Sequence, residues 1–292
     1  MVGSMRNTGR ALIAGIAGLA CAVSSRAGEA REPVIGILGA LVEEVQLLGA
    51  QLDDGEVRTV EGIEFAVGRL RGRRVAIALT GVGKVHAALT AALLIVNFRP
   101  TEVLFTGVAG ALNPDLRPGD VVIADKTVYH DLGTLSAEGF RRHGARNPFT
   151  RERNPVFYPA DPRLLKLALA AKERVKLHTV TAGEGERAPR VVTGVVATGD
   201  TFIALAAKRK ELRTELNADV VEMEGAAVAQ VCWHWRIPCL VIRSVSDSAD
   251  EKARVDIRAF RDVAAHNSAA LVEDILEHLG APEEKKQAGS SP

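Results

Sequence analysis

From Pro33 onward the chain alternates short runs of Val, Ile and Leu with Ala-rich segments of helical period, and this alternation constrains the fold more than any other feature. Runs such as VIGIL (34–38), VLFTG (103–107) and VVTGVVATG (191–199) offer apolar residues to both faces, as strands covered by helices on both sides must. The segments 42–50, 84–96, 161–171, 204–215, 224–235 and 256–279 read as helices, with Asp161 and Pro162 as an N-cap and first-turn pair. ADVVEM (218–223) and CLVIRSVSD (239–247) read as further strands, Arg71-Gly72 marks a hairpin, and Pro118-Gly119-Asp120 turns the chain into VVIAD. Residues 131–160 lose periodicity and fill with Gly, Arg, Asn and Pro, which predicts one long loop of binding or interface type. The pattern predicts an α/β fold in one domain, 28–280, without repeats or a dividing linker.

Composition excludes several classes of function. With 292 residues, 47% of them hydrophobic, the chain can bury a sizeable core. Its 37 Lys and Arg against 36 Asp and Glu leave a net charge of +1, so no global field draws nucleic acid or an anionic membrane, and a charged ligand must be held locally. Three cysteines, Cys21, Cys232 and Cys239, make neither a disulfide framework nor a four-ligand zinc site. The seven histidines show no HExxH pattern or paired metal spacing.

The N-terminus reads as an export signal. Arg6 and Arg10 precede an uncharged stretch from Ala11 to Val23, then Ser25 and Ala27 occupy the small positions of a cleavage site after residue 27. Thirteen residues make about 20 Å of helix, too short for the roughly 30 Å hydrocarbon core, so no stable membrane span is expected. The expected location is periplasmic or secreted; the alternative is a cytoplasmic protein with a short N-terminal helix. Loss of residues 1–27 removes Arg6, Arg10, Arg26 and Cys21 and leaves the mature chain near neutral. Residues 281–292 read as a disordered polar tail.

Ligands bind such sheets at strand ends, and four ends here carry unusual residues. Glu43 and Glu44 follow the first strand, where they suit either the first turn of a helix, worth about 0.3–1 kcal/mol, or catalysis. Thr80–Lys84 (TGVGK) and Thr106–Gly110 (TGVAG) are glycine turns, either close-packed or open to a ligand's approach; neither has the spacing of a dinucleotide or P-loop motif. Val221–Gly225 (VEMEG) and Ile242–Asp247 (IRSVSD) put several ionisable groups at the ends of apolar strands, which is costly unless they are paired. A structural Glu224–Arg243 ion pair accounts for them; so does a site for sugar hydroxyls and a heterocycle.

GALVEEV, TGVGKVHAAL, TGVAGAL, PGDVVIAD, TGDTFI, VVEMEGAAVAQVC and VIRSVSDSAD occur in this order over residues 34–278. Together they resemble the nucleoside phosphorylase/nucleosidase superfamily, and most closely its methylthioadenosine/S-adenosylhomocysteine nucleosidases. The resemblance implies a single α/β domain around a mixed, partly barrel-like sheet flanked by helices, a homodimer, and cleavage of an N-glycosidic bond in a purine nucleoside without metal or redox cofactor.

It also assigns roles. Asp247 matches the acid that shares a proton with the purine and makes the base a neutral leaving group, with Ser246 supporting it. Glu44 matches the carboxylate that orients or deprotonates the attacking water. Glu224 matches the residue gripping the ribose hydroxyls, with Met223 packed against the sugar, while Phe202 and Ile203 match the base-binding segment. Arg243 matches the residue that helps hold the water and the Glu224 carboxylate. Val108 stands where the best-known members carry Ser near the ribose. A carboxylate at Glu44 would repel a phosphate nucleophile by about 4 kcal/mol per charge pair at 4 Å and a dielectric of 20, which favours water. A phosphate-dependent phosphorylase and a non-catalytic nucleoside-binding or storage protein are the alternative readings.

Overall fold

The computed structural model describes residues 32–280 apart from 149, 183 and 184; the proposed signal (1–27, with Cys21) and the tail (281–292) lie outside the described residues. In chain order the elements are β1 (Val34–Gly39), α1 (Val42–Gly49), β2 (Asp53–Val60), β3 (Ile63–Leu70), β4 (Arg73–Leu79), α2 (Lys84–Phe98), β5 (Glu102–Phe105), β6 (Val108–Ala111) and β7 (Val121–Tyr129). There follow β8 (Gly133–Ser136), β9 (Gly139–Arg142), β10 (Phe157–Pro159), α3 (Pro162–Ala171), β11 (Val180–Ala182), β12 (Gly185–Arg187) and β13 (Val191–Thr198). The chain continues through α4 (Ala206–Leu216), β14 (Val220–Glu222), α5 (Gly225–Trp235), β15 (Cys239–Asp247) and α6 (Ala253–His278).

One sheet of order β10-β7-β13-β14-β6-β15-β5-β1-β4-β3-β2 carries the fold. An additional antiparallel pairing, with Ile242 of β15 opposite Ile123 of β7, closes β7, β13, β14, β6 and β15 into a barrel. β15 is the seam between the barrel and the open part of the sheet. Its first residues pair with β5 (Cys239 opposite Val103), and its last pair with β6 (Ser244 opposite Val108, Asp247 opposite Gly110).

Alternation along the strands separates the two largest core clusters, and a third gathers Val195, Ala197 and Val221 against Leu212 of α4. Leu38, Phe105, Val220 and Val245 pack with Ala87, Ala91 and Leu94 of α2 and Ala226 and Cys232 of α5. Ile37, Leu104 and Ile242 face the other way, against Leu48 of α1, Leu164 of α3 and Leu271, Val272 and Ile275 of α6. Asp161 caps α3 as expected, accepting from Arg163 N and Leu164 N at 3.0 Å each. Arg71 and Gly72 both take positive φ, 50° and 73°, as the two-residue hairpin between β3 and β4 requires.

Three expectations need correction. Residues 131–160 are not one structureless loop: β8 and β9 form a hairpin, Arg146 bridges Arg153, and β10 pairs with β7. These pairings are made by backbone groups, which leave no hydrophobic period to read. ADVVEM is strand only over Val220–Glu222, and Thr106–Gly110 is a turn only at Thr106–Gly107, since Val108 to Ala111 form β6. The sequence reading also passed over β2, whose residues DDGEVRTV are nearly all exposed and therefore carry no apolar alternation. Among the described residues, no helix is long and apolar enough to cross a membrane.

Candidate active site

The site forms where β1, β14, β15 and the β5–β6 break end together. Glu44, in the first turn of α1, is 1% exposed. Its Oε2 accepts from Ala40 N and from Leu41 N (2.8 Å), and its Oε1 accepts from Val108 N at 3.0 Å. The carboxylate thus ties the end of β1 to the start of β6. Burial raises its pKa, opposed by the Arg243 charge and the three backbone donors. The approach depends on Gly107: a Cβ there would lie 2.9 Å from Glu44 Oε1 and 3.1 Å from Arg243 Nη1.

Arg243 of β15 is fully buried, and its partner is Glu222 rather than Glu224. Nη2 and Nε donate to Glu222 Oε2 at 2.9 and 3.3 Å, Nη1 donates to Ile242 O and Phe105 O, and the guanidinium lies 4.0 Å from the Phe105 ring centre. The expected Glu224–Arg243 pair, and with it the expected hold of Arg243 on the Glu224 carboxylate, is therefore corrected. The reason is local: β14 ends at Glu222, whereas Glu224 has turned out of the strand (φ −138°, ψ −36°) to become the N-cap of α5. Glu222 Oε2 also accepts from Glu224 N (3.0 Å) and Gly225 N (2.7 Å), and its Oε1 accepts from Thr198 Oγ1. Sequence reading assigned Glu222 no role; the only signal was its place as the last residue of an apolar strand.

Glu224 is 5% exposed, with Oε1 accepting from Gly83 N at 2.7 Å and Oε2 from Met223 N at 3.3 Å. Burial, then the charge of Glu222, pushes its pKa up to about 8; Arg243 opposes and Glu44 adds to the rise. Asp247 closes the set from the end of β15. It is 2% exposed, and accepts from Ser246 Oγ and Ala249 N at 2.8 Å each. Burial raises its pKa against those two bonds. Asp247 lines one cleft with Phe202, Ile203, Met223, Glu222 and Gly110. A larger cavity, about 730 Å³, lies elsewhere, between residues 147–162 and the end of α5, and none of the predicted site residues lines it.

The structure thus brings Glu44, Val108, Glu224 and Arg243 together through shared bonds and mutual electrostatics, and joins Phe202, Ile203, Met223, Ser246 and Asp247 to them through the cleft and β15. Among the described residues no group of three or more His, Cys, Asp or Glu is placed to hold a metal ion. The arrangement offers three buried carboxyl groups, each with its pKa raised by burial, and a cleft that sets Phe202 and Ile203 beside Asp247.

The sequence model of the Phosphorylase superfamily matches residues 34–277. The chain belongs to the phosphorylase superfamily. Within that superfamily it is 38% identical over 253 residues to the 5′-methylthioadenosine/S-adenosylhomocysteine nucleosidase of Mycobacterium bovis, covering 85% of this chain and 98% of the relative. A crystal structure of the nucleosidase of that name from Colwellia psychrerythraea, in complex with adenine, superposes with a TM-score of 0.74 at 33% identity, over 85% of this chain and 96% of the other. Futalosine hydrolase of Helicobacter pylori superposes with a TM-score of 0.71 at 33% identity, over 85% and 98%. The superfamily fold expected from the ordered motifs is the fold found.

The raised pKa of Glu224 has a consequence for stability. Between its ordinary value of 4.5 and about 8 the folded protein binds a proton that the unfolded chain has released, so stability falls as pH rises through that window and levels off above it. Glu224→Gln, which keeps an acceptor for Gly83 N, is expected to match wild type near pH 4.5 and become progressively the more stable protein up to pH 8. Thermal unfolding of both proteins across this range tests it; a constant difference would show that Glu224 stays ionised throughout.

Proposed function

We propose that this protein hydrolyses the N-glycosidic bond of an adenine nucleoside of the 5′-methylthioadenosine/S-adenosylhomocysteine type, releasing adenine and a ribose derivative. The observation that carries the reading is the pair of buried carboxylates set in different surroundings: Asp247 in the cleft with Phe202 and Ile203, and Glu44 held by three backbone N–H groups. The relatives' names supply the substrate class.

Cleavage of such a bond builds positive charge on the ribosyl C1′ and negative charge on the base, so a catalyst must answer both. As the C1′–N9 bond breaks, its electron pair moves into the purine, and Asp247, whose proton affinity burial raises, gives its proton to N7. Ser246 holds the carboxyl in place. Glu44 orients a water on the opposite side and takes its proton as the oxygen bonds to C1′. Glu224 grips the 2′ and 3′ hydroxyls beside Met223, and Phe202 and Ile203 hold the base. Arg243 acts through Glu222 and the field it casts on Glu44, not through a bond to Glu224. Val108 brings an apolar side chain and a backbone donor to the nucleophile's side of the site. Futalosine hydrolase among the structural neighbours makes futalosine the second substrate to consider.

The functional unit is a homodimer. Val82, Val85, Leu89 and Val96 form an exposed apolar stripe along α2, and Trp233 of the adjoining α5 is exposed beside it. That much uncovered apolar surface calls for a partner, and the resemblance points to a second copy. Trp235, at the end of α5, is exposed as well. The chain acts outside the cytoplasm after cleavage behind Ala27.

Base release is to be followed from methylthioadenosine, S-adenosylhomocysteine, adenosine, inosine and futalosine, with and without phosphate. Phosphate-independent release from the first two is expected; strict phosphate dependence would make the protein a phosphorylase, and binding without turnover a storage protein. Asp247→Asn should lower kcat by about 100-fold or more with little change in KM, and Glu224→Ala should worsen both. Near-normal turnover of Asp247→Asn would remove it from the acid role. Sedimentation should give a dimer that Leu89→Glu dissociates; a wild-type monomer contradicts the assembly. N-terminal sequencing of the exported chain should begin at Gly28, and an intact Met1 in the cell extract would return the protein to the cytoplasm.

A further inference from the structure

An ion cluster at the rim of the cleft has no part in the chemistry above. Lys84 Nζ donates to Asp131 Oδ2 at 2.7 Å and lies 3.5 Å from Asp200 Oδ2. The main chain ties the same residues together, with Lys84 N donating to Asp200 Oδ1 at 2.8 Å and Asp200 N to Asp131 Oδ2 at 2.9 Å. The three come from separate places: the first residue of α2, the chain just after β7, and the chain just after β13.

The N-terminus of α2 explains why they meet. Its N-cap is Gly83, at φ 100°, with no side-chain cap and no acidic residue in its first turn. The orphan N–H groups of a helix start, and the positive end of its dipole, call for acceptors of negative charge. Here they come from elsewhere in the chain: Gly83 N binds Glu224, and Lys84 N binds Asp200. The carboxylate assigned to the ribose and the residue directly before Thr201-Phe202-Ile203 therefore hang from adjacent amides of one helix end. Asp200, with its side chain 47% exposed, is held by the Lys84 amide and through its own amide by Asp131, and the Lys84 ammonium bridges the two carboxylates.

We propose that Lys84, with Asp131 and Asp200, forms a positioning strut that fixes the base-contacting segment 201–203 relative to Glu224, so that the two halves of the cleft bind a nucleoside as one unit. The proposal rests on the nucleoside reading of the site. Lys84 touches no reacting atom; it acts through Asp200. Partly exposed ion pairs contribute little to global stability, whereas a small misplacement in a binding site is felt strongly, so the strut's loss is expected in function and not in folding.

Lys84→Met keeps the backbone donor and removes the ammonium, and Lys84→Arg keeps the charge. In Lys84→Met, hydrogen exchange at amides 199–203 of the unliganded dimer should quicken about tenfold while the interior of α2 is unchanged. KM for methylthioadenosine should rise about tenfold with kcat within about threefold, the affinity for free adenine should fall in step with KM, and Lys84→Arg should restore most of each. Unchanged exchange at 199–203 overturns the strut whatever the substrate proves to be. Faster exchange throughout the chain, or faster local exchange with wild-type KM and adenine affinity, overturns it as well, by making the cluster structural. The exchange measurement needs no substrate, so a wild-type protein without turnover would refute the nucleosidase reading separately.

Discussion

The buried ion pair between Glu222 and Arg243 is the interaction on which the site depends. Glu222 ends β14 and Arg243 lies in β15, on either side of β6 in the barrel, so their contact links two strands that are not neighbours. Glu222 also takes the first amides of α5 and the hydroxyl of Thr198, and Arg243 reaches two backbone carbonyls and the face of Phe105. Breaking such a pair strands a desolvated charge and typically costs about 3–5 kcal/mol, so neither partner can leave without displacing the other's neighbours. Its placement decides the electrostatics of the functional carboxylates. Arg243 holds down the pKa of Glu44 and Glu224, while Glu222, adjacent in sequence to the cleft, pushes that of Glu224 up.

Three carboxyl groups with different tasks can share one site because their surroundings differ. Asp247 has one hydroxyl donor and one amide, and burial outweighs those two bonds and raises its pKa. Glu44 has three amides and the field of Arg243, which oppose the rise that its burial causes. Glu224 has Glu222 beside it as well as burial, and its pKa is pushed up to about 8.

The barrel closure supplies rigidity where the chemistry needs it. β15 pairs with β5, β7 and β6 along its length, so Arg243 and Asp247 stand on a strand with three partners. The segments assigned to the base and to the rim of the cleft lie outside the strands and are tied in part by side-chain bonds at the N-terminus of α2. Backbone pairing holds the chemistry, and a few ionic contacts hold the fit.

What the sequence determined by itself was the layered α/β plan and the identity of the strand-end residues. Apolar runs and helical periods are properties of neighbouring positions, and Glu44, Glu224 and Asp247 stand out because charge at the end of an apolar strand is expensive. Elements without apolar alternation stayed hidden: exposed β2, the β8–β9 hairpin, and β6 inside what read as a turn. The partner of Arg243 was decided only in three dimensions. Glu222 and Glu224 are two residues apart and chemically alike, and nothing local says which will remain in the strand and which will turn out to cap α5. The same holds for Lys84, Asp131 and Asp200, whose meeting depends on where three distant chain segments end, a matter settled by barrel closure and helix packing rather than by any spacing along the chain.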